Sequence, residues 1–164
     1  MAATVIINEK NGGGGTKTDK TSGTVRFKNA DNATVDLVNP MVKPVAGLDW
    51  SFEKWLLAEV TGGSYTQITN LVAYSDGTGS NWPGVTVMAA ARDAYATPVE
   101  ATAPESDYVD LFDYTSAAPL SLGAGPFTGT GDKGKHLVMA LAVGTSAVGG
   151  VLTGETLTFS WDEI

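Results

Sequence analysis

Asp49-Trp50-Ser51-Phe52-Glu53-Lys54-Trp55-Leu56-Leu57-Ala58-Glu59-Val60-Thr61 is the stretch that decides the fold class. At helical spacing, Leu48, Phe52, Trp55, Leu56 and Val60 share a face, and Asp49 stands where an N-cap would. With a period of two, Phe52, Leu56, Ala58 and Val60 line one face with Lys54, while Trp55 and Leu57 share the other with Glu53 and Glu59. The strand reading is adopted because the surrounding runs are β-rich, and propensity is weak against context. If Trp55 and Leu57 then point outward, they form an apolar patch for another subunit to bury.

Upstream, Thr24-Val25-Arg26-Phe27-Lys28 and Thr34-Val35-Asp36-Leu37-Val38 alternate around the turn residues Asn29-Ala30-Asp31-Asn32, which predicts a hairpin. Pro40 and Pro44 then interrupt pairing, since proline offers no ladder donor. Earlier still, residues 4–9 read as a strand, and the run from Asn11 to Ser22 is rich in Gly, Thr and Lys, with Gly12 to Gly15 unbroken. Glycine loses the most backbone entropy on ordering. Residues 1–22 are therefore expected to be a flexible arm with one strand, ahead of a domain at 23–164. The alternative is a local hairpin in which the glycines form a wide loop.

Downstream, strands are expected at 65–74, 85–89, 108–114, 137–143 and 156–161. Ser75 to Gly84 reads as a loop with Asp76-Gly77, Asn81 and Pro83. Pro98 and Pro104 mark a long irregular stretch, and Leu120 to Lys135 reads mostly as turn. About nine short strands without an assigned helix imply an all-β fold, a single β-sandwich of jelly-roll or Greek-key topology.

The composition agrees with one domain of 164 residues that is 43% hydrophobic. Only 17% of residues are charged, against about 25% in an average domain. Small polar residues must cover much of the surface, which suits a chain that sits against other proteins. The net charge of −8 argues against nucleic acid as a partner, because phosphate binding needs clustered Lys and Arg. The loose group Lys17, Lys20, Arg26 and Lys28 reads as a solvated face. Without cysteine, disulfides and thiolate zinc sites are excluded. The apolar run from Leu137 to Leu152 is broken by Gly144, Gly149 and Gly150, short of the roughly 20 residues of a membrane span. The first residues lack the positive, apolar pattern of a signal peptide.

Candidate chemistry is sparse. Gly129-Thr130-Gly131-Asp132-Lys133-Gly134-Lys135-His136 has phosphate-loop spacing through the lysine, yet His136 replaces the required Ser or Thr and a strand follows. His136, the sole histidine, is expected at a surface or strand end, with no nucleophile elbow to serve. Asp107, Asp110 and Asp113 alternate faces in a strand, and the Asp76–Asn81 loop lacks the terminal Glu of a calcium loop. No catalytic residue, metal ligand or cofactor is assigned, and no enzyme activity is expected. Trp82 is the best sugar-stacking candidate, while Trp50, Trp55 and Trp161 read as core or subunit contacts.

The Gly/Thr/Lys arm, the acidic Ala/Thr/Gly-rich β-domain, the Asp49–Trp55 stretch and the C-terminal run Leu157-Thr158-Phe159-Ser160-Trp161-Asp162-Glu163-Ile164 together resemble small structural proteins of tailed bacteriophages, most closely capsid decoration (cementing) proteins. No single motif carries the resemblance, so no residue roles transfer. It implies a virion protein on the capsid exterior that binds the major capsid protein and is itself a homotrimer. On this reading Trp55, Leu57, Trp82, Thr16 and Lys17 are the candidate interface residues. A carbohydrate-binding or tail and baseplate β-module is the alternative.

Overall fold

The fold was obtained as a computed structural model that describes residues 2–35, 38–79, 82–102, 106–150 and 153–164. Its ten strands are β1 (Ala3–Asn11), β2 (Thr16–Asp19), β3 (Leu48–Trp50), β4 (Lys54–Gly63), β5 (Ile68–Ser75), β6 (Val85–Arg92), β7 (Val109–Asp110), β8 (Leu120–Gly123), β9 (Gly131–Gly144) and β10 (Leu157–Glu163). Every pairing is antiparallel. Seven strands form one sheet in the order β2-β1-β4-β9-β6-β7, with β3 also on β9, and three form a second in the order β10-β5-β8. The fold is therefore all-β, as expected, and built of antiparallel sheets.

The deciding stretch is extended. Its period-two pattern is hidden because both faces of the large sheet are covered. Leu56 and Ala58 of β4 join Val87 and Ala89 of β6 and Leu137, Met139 and Leu141 of β9 against Leu71, Ala73 and Leu122 of the small sheet. On the reverse face, Trp50 packs on Ala140 and Ala142. Residues 93–102 lie over that face: Glu53 N–H donates to the Val99 carbonyl at 3.0 Å and Ala101 N–H to Ser51 at 3.2 Å. A strand buried on both sides reads as a continuous apolar run, as Leu137–Val143 does.

The flexible arm is a correction. Eight residues of β1 pair with β4, and β2 folds back on β1 from Asn8↔Asp19 to Asn11↔Thr16. The local-hairpin alternative is the one adopted. Gly12 and Gly15 take the left-handed φ values of +70° and +62°, and Gly15 N–H closes the turn on the Gly12 carbonyl at 3.0 Å. The entropic cost of the glycines is offset by contacts from far along the chain. Asp31 accepts from Gly12 N–H at 2.7 Å, and the Tyr95 hydroxyl donates to the Gly12 carbonyl at 2.7 Å. The proposed boundary at residue 22 has no counterpart, because β1 is an interior strand of the large sheet.

The predicted hairpin over 24–38 is a second correction. Residues 24–28 belong to no strand, and Asp36 and Leu37 lie outside the described residues. The Lys28 carbonyl instead accepts from Phe52 N–H at 3.0 Å, and Asn29 N–H donates to Asn39 at 3.0 Å. The expected strand at 108–114 is only β7 followed by a 3-10 turn, Leu111–Asp113, where the Asp110 carboxylate accepts from Phe112 N–H. Within the expected turn region 120–135, β8 and the first residues of β9 are strands.

Candidate functional site

The predicted interface residues do not form one surface. Trp55 is 4% exposed and Leu57 2%, so neither is available to a partner, which corrects the patch expected there. Trp55 meets Tyr95 edge-on at 5.4 Å and His136 at 5.6 Å. Thr16 and Lys17 are on the exposed hairpin strand β2. Lys17 bridges Glu59 of β4 at 2.8 Å and also Asp132 of β9, tying β2 to strands beyond its sheet neighbour β1. Trp82 is half-buried: its indole N–H donates to the Thr153 carbonyl at 2.6 Å, and its ring meets Phe112 edge-on. An indole held this way is part of a wall, with less face to offer a sugar.

His136 is buried, against the expectation of a strand-end surface residue, and neither ring nitrogen has a hydrogen-bond partner. It lies under Tyr95, whose ring also carries the Lys10 ammonium at 4.7 Å. Burial first, then the Lys10 charge, push the imidazole below its ordinary value. Burial first, then Asp31, push the Tyr95 phenol up to about 12. Both groups are thereby held neutral, and they form a packed cluster with Trp55.

The would-be phosphate lysine, Lys133, donates to the Thr128 and Thr130 carbonyls at 3.1 and 3.0 Å and closes its own loop. Asp107 pairs with Arg92, which holds its carboxyl below the usual range through the hydrogen bond to that guanidinium. Asp76 accepts from Thr78 N–H; Asn81 lies outside the described residues. Among the described residues no three His, Cys, Asp or Glu converge as metal ligands, and no helix is long and apolar enough to cross a membrane.

A buried ion pair went unread in the sequence. Lys54 and Glu9 have fully buried side chains and meet at 3.1 Å. Lys54 also donates to the Asn32 carbonyl at 3.0 Å, and Lys20 approaches the other Glu9 oxygen at 3.7 Å. The signal was available: Lys54 stands in the period-two apolar set of its strand, where a charge must find a buried partner.

A cleft of about 770 Å³ lies between the sheets. Three strands cannot cover seven, and the gap opens beside β10. Its floor is Val5 and Ile7 of β1 with Leu56, Met139 and Leu141. Leu157, Phe159 and Trp161 of β10 wall one side, and Thr24 to Phe27 wall another. Lys20, Arg26, Lys28 and Lys43 also line it, against the single acid Glu155. The cleft draws on segments from across the whole chain, which is why no local pattern announces it. Compared with known proteins, the chain matches no family model, no curated protein and no solved structure.

Proposed function

We propose that this chain is a non-catalytic structural protein that attaches to the outside of an assembled tailed-phage capsid and stabilises it. The observation that carries an attachment role is the apolar run between Val38 and Leu48. There Val38, Val42 and Val45 are 57–104% exposed in a segment without strand pairing among the described residues, and Leu48, which opens β3, is 57% exposed. Apolar side chains held in water by irregular backbone gain most from being covered by a second protein. The phage capsid, its major capsid protein as partner, and a homotrimer on the shell are supported by the whole-chain resemblance. The trimer draws nothing from the 51–60 segment, which is core. Repeated weak contacts over a shell would supply avidity.

The test is whether a major capsid gene neighbours the gene for this chain and, with undecorated shells assembled from that capsid protein, co-sedimentation of the purified protein. Saturable pelleting, and greater resistance of the shells to heat, are expected. Protein that remains in the supernatant at micromolar concentration overturns the reading.

A further inference from the structure

We propose that the cleft is an acceptor groove for one extended segment of a partner protein, which adds to β10 as a fourth strand of the small sheet. This rests on the attachment reading above and deepens it. β10 is the outermost strand of its sheet and pairs only with β5 among the described residues. Among the described residues its other edge therefore has no ladder partner, and such an edge is the standard template for an added strand. That strand also lines the cleft, through Leu157, Thr158, Phe159 and Trp161. The free edge and the uncovered floor thus belong to one space. A segment lying there would bond to β10 with its backbone and set alternate side chains on Val5, Ile7 and Leu56.

The dimensions agree. Strand spacing, sheet separation and rise together give roughly 160 Å³ per residue of a strand inside a two-layer fold. A cleft of about 770 Å³ then holds about five residues. The β10 ladder is regular from Leu157 to Ser160 and shifts register before Asp162, where two acids follow, so the usable edge is of similar length. A small apolar ligand could fill the floor but would leave that edge unpaired. The free edge favours a peptide.

Charge narrows the class further. Four of the ten Lys and Arg residues line a cleft with one acid, in a chain of net charge −8. Lys20 is already paired with Glu9, and Lys28 with Asn32 and the Thr34 carbonyl, which leaves Arg26 and Lys43 to meet a ligand charge. Arg26 and Lys43 are exposed there. The fitting segment is apolar at alternate positions and carries a carboxylate near one end. The exposed run of a second copy does not qualify, since Val38 to Leu48 contains Pro40, Pro44 and Lys43 and no acid. The occupant is accordingly a different chain, the protein to which this one attaches.

The experiment has two arms. In the first, the full chain is extended after Ile164 by an Asn-Gly turn and a strand of alternating Thr and Val ending in Glu, and compared with the same extension carrying two prolines. The Thr/Val extension is expected to raise Tm by about 5 °C or more and to slow exchange of the β10 amides that face away from β5 by about tenfold or more. The proline version should do neither. Equal behaviour of the two, or saturable binding of laurate by an otherwise unstabilised extension, makes the cleft a small-molecule pocket and overturns the proposal. In the second arm, exchange of the same amides is followed on undecorated shells. Protection is expected there too; shell binding with β10 exchange unchanged sinks the groove while sparing the attachment role. Failure to bind shells sinks the capsid reading, and the first arm still decides whether the groove accepts a strand.

Discussion

Residues 3–19 and the irregular segment that follows them, described over 24–35 and 38–47, invert what their sequences suggest. The first carries four glycines in a row and is an ordered hairpin on an interior strand. The second alternates like a strand and pairs with nothing as a ladder. In the first of its two runs alternation nevertheless told the truth about side chains, because Val25 and Phe27 pack against the inter-sheet core, whereas Val35 of the second run is exposed. Periodicity reports which side chains are buried; it does not report where backbone hydrogen bonds go. The two regions differ in partners. β1 meets a complete strand, β4, whereas the backbone at 28–29 is spent on Phe52 and Asn39.

The comparison can be broken most severely by deleting residues 2–19. If the hairpin belongs to the sheet, the shortened chain loses its cooperative thermal transition. A folded product with a nearly unchanged Tm would restore the idea of a dispensable arm. Next in size is Lys54→Met, at the point where both regions meet, since Lys54 holds Glu9 of β1 and the Asn32 carbonyl. Removing the closer of the two ammonium groups from buried Glu9, with Lys20 left at 3.7 Å, should cost about 3 kcal/mol in denaturant unfolding, and adding Glu9→Leu should recover most of it. If the single variant loses under about 1 kcal/mol, water reaches the pair and the burial is overstated.

A smaller effect runs through His136, over which β1 extends the Lys10 charge. Its folded pKa lies below the ordinary 6.5, so the unfolded chain takes up the proton first as pH falls. The contribution to stability is complete above about pH 6.5 and is lost as pH drops from there toward the folded pKa. Unfolding free energies at about pH 7.5 and about pH 5.5 should differ less in Lys10→Met than in the parent protein. An identical difference would remove Lys10 from the account. Smallest of all is Val45→Asp in the irregular segment, which should change stability by no more than about 0.5 kcal/mol. The same variant is expected to pellet poorly with shells, separating a surface role from a structural one.

The sequence made the fold class legible wherever strands are bounded by turn chemistry, as at 85–92 and 157–163. It was also legible in the 49–61 stretch, whose surroundings outweighed its helical spacing. Two things were hidden. The order of Gly12–Gly15 depends on Asp31 and Tyr95, contacts that no local window contains. Placement of Trp55 required knowing that Tyr95 covers it on the reverse face; a half-covered sheet would have left it outside. Of the candidate site, the single legible sign was Lys54 among apolar neighbours. The cleft follows from the mismatch of seven strands against three, a quantity that exists only once pairing is settled.

That pairing has a further consequence, in the order of events as the chain is made. β9 lies at the middle of the large sheet, between β4 and β6, yet its residues are 131–144. Until they leave the ribosome, β4 and β6 each wait with an open flank, and six of the ten residues of β4 are buried in the finished protein. Long-range pairing of this kind folds slowly and exposes sticky edges on the way. A nascent chain stalled before residue 131 should therefore recruit chaperones strongly, and release them only once the last central strand has slid into place.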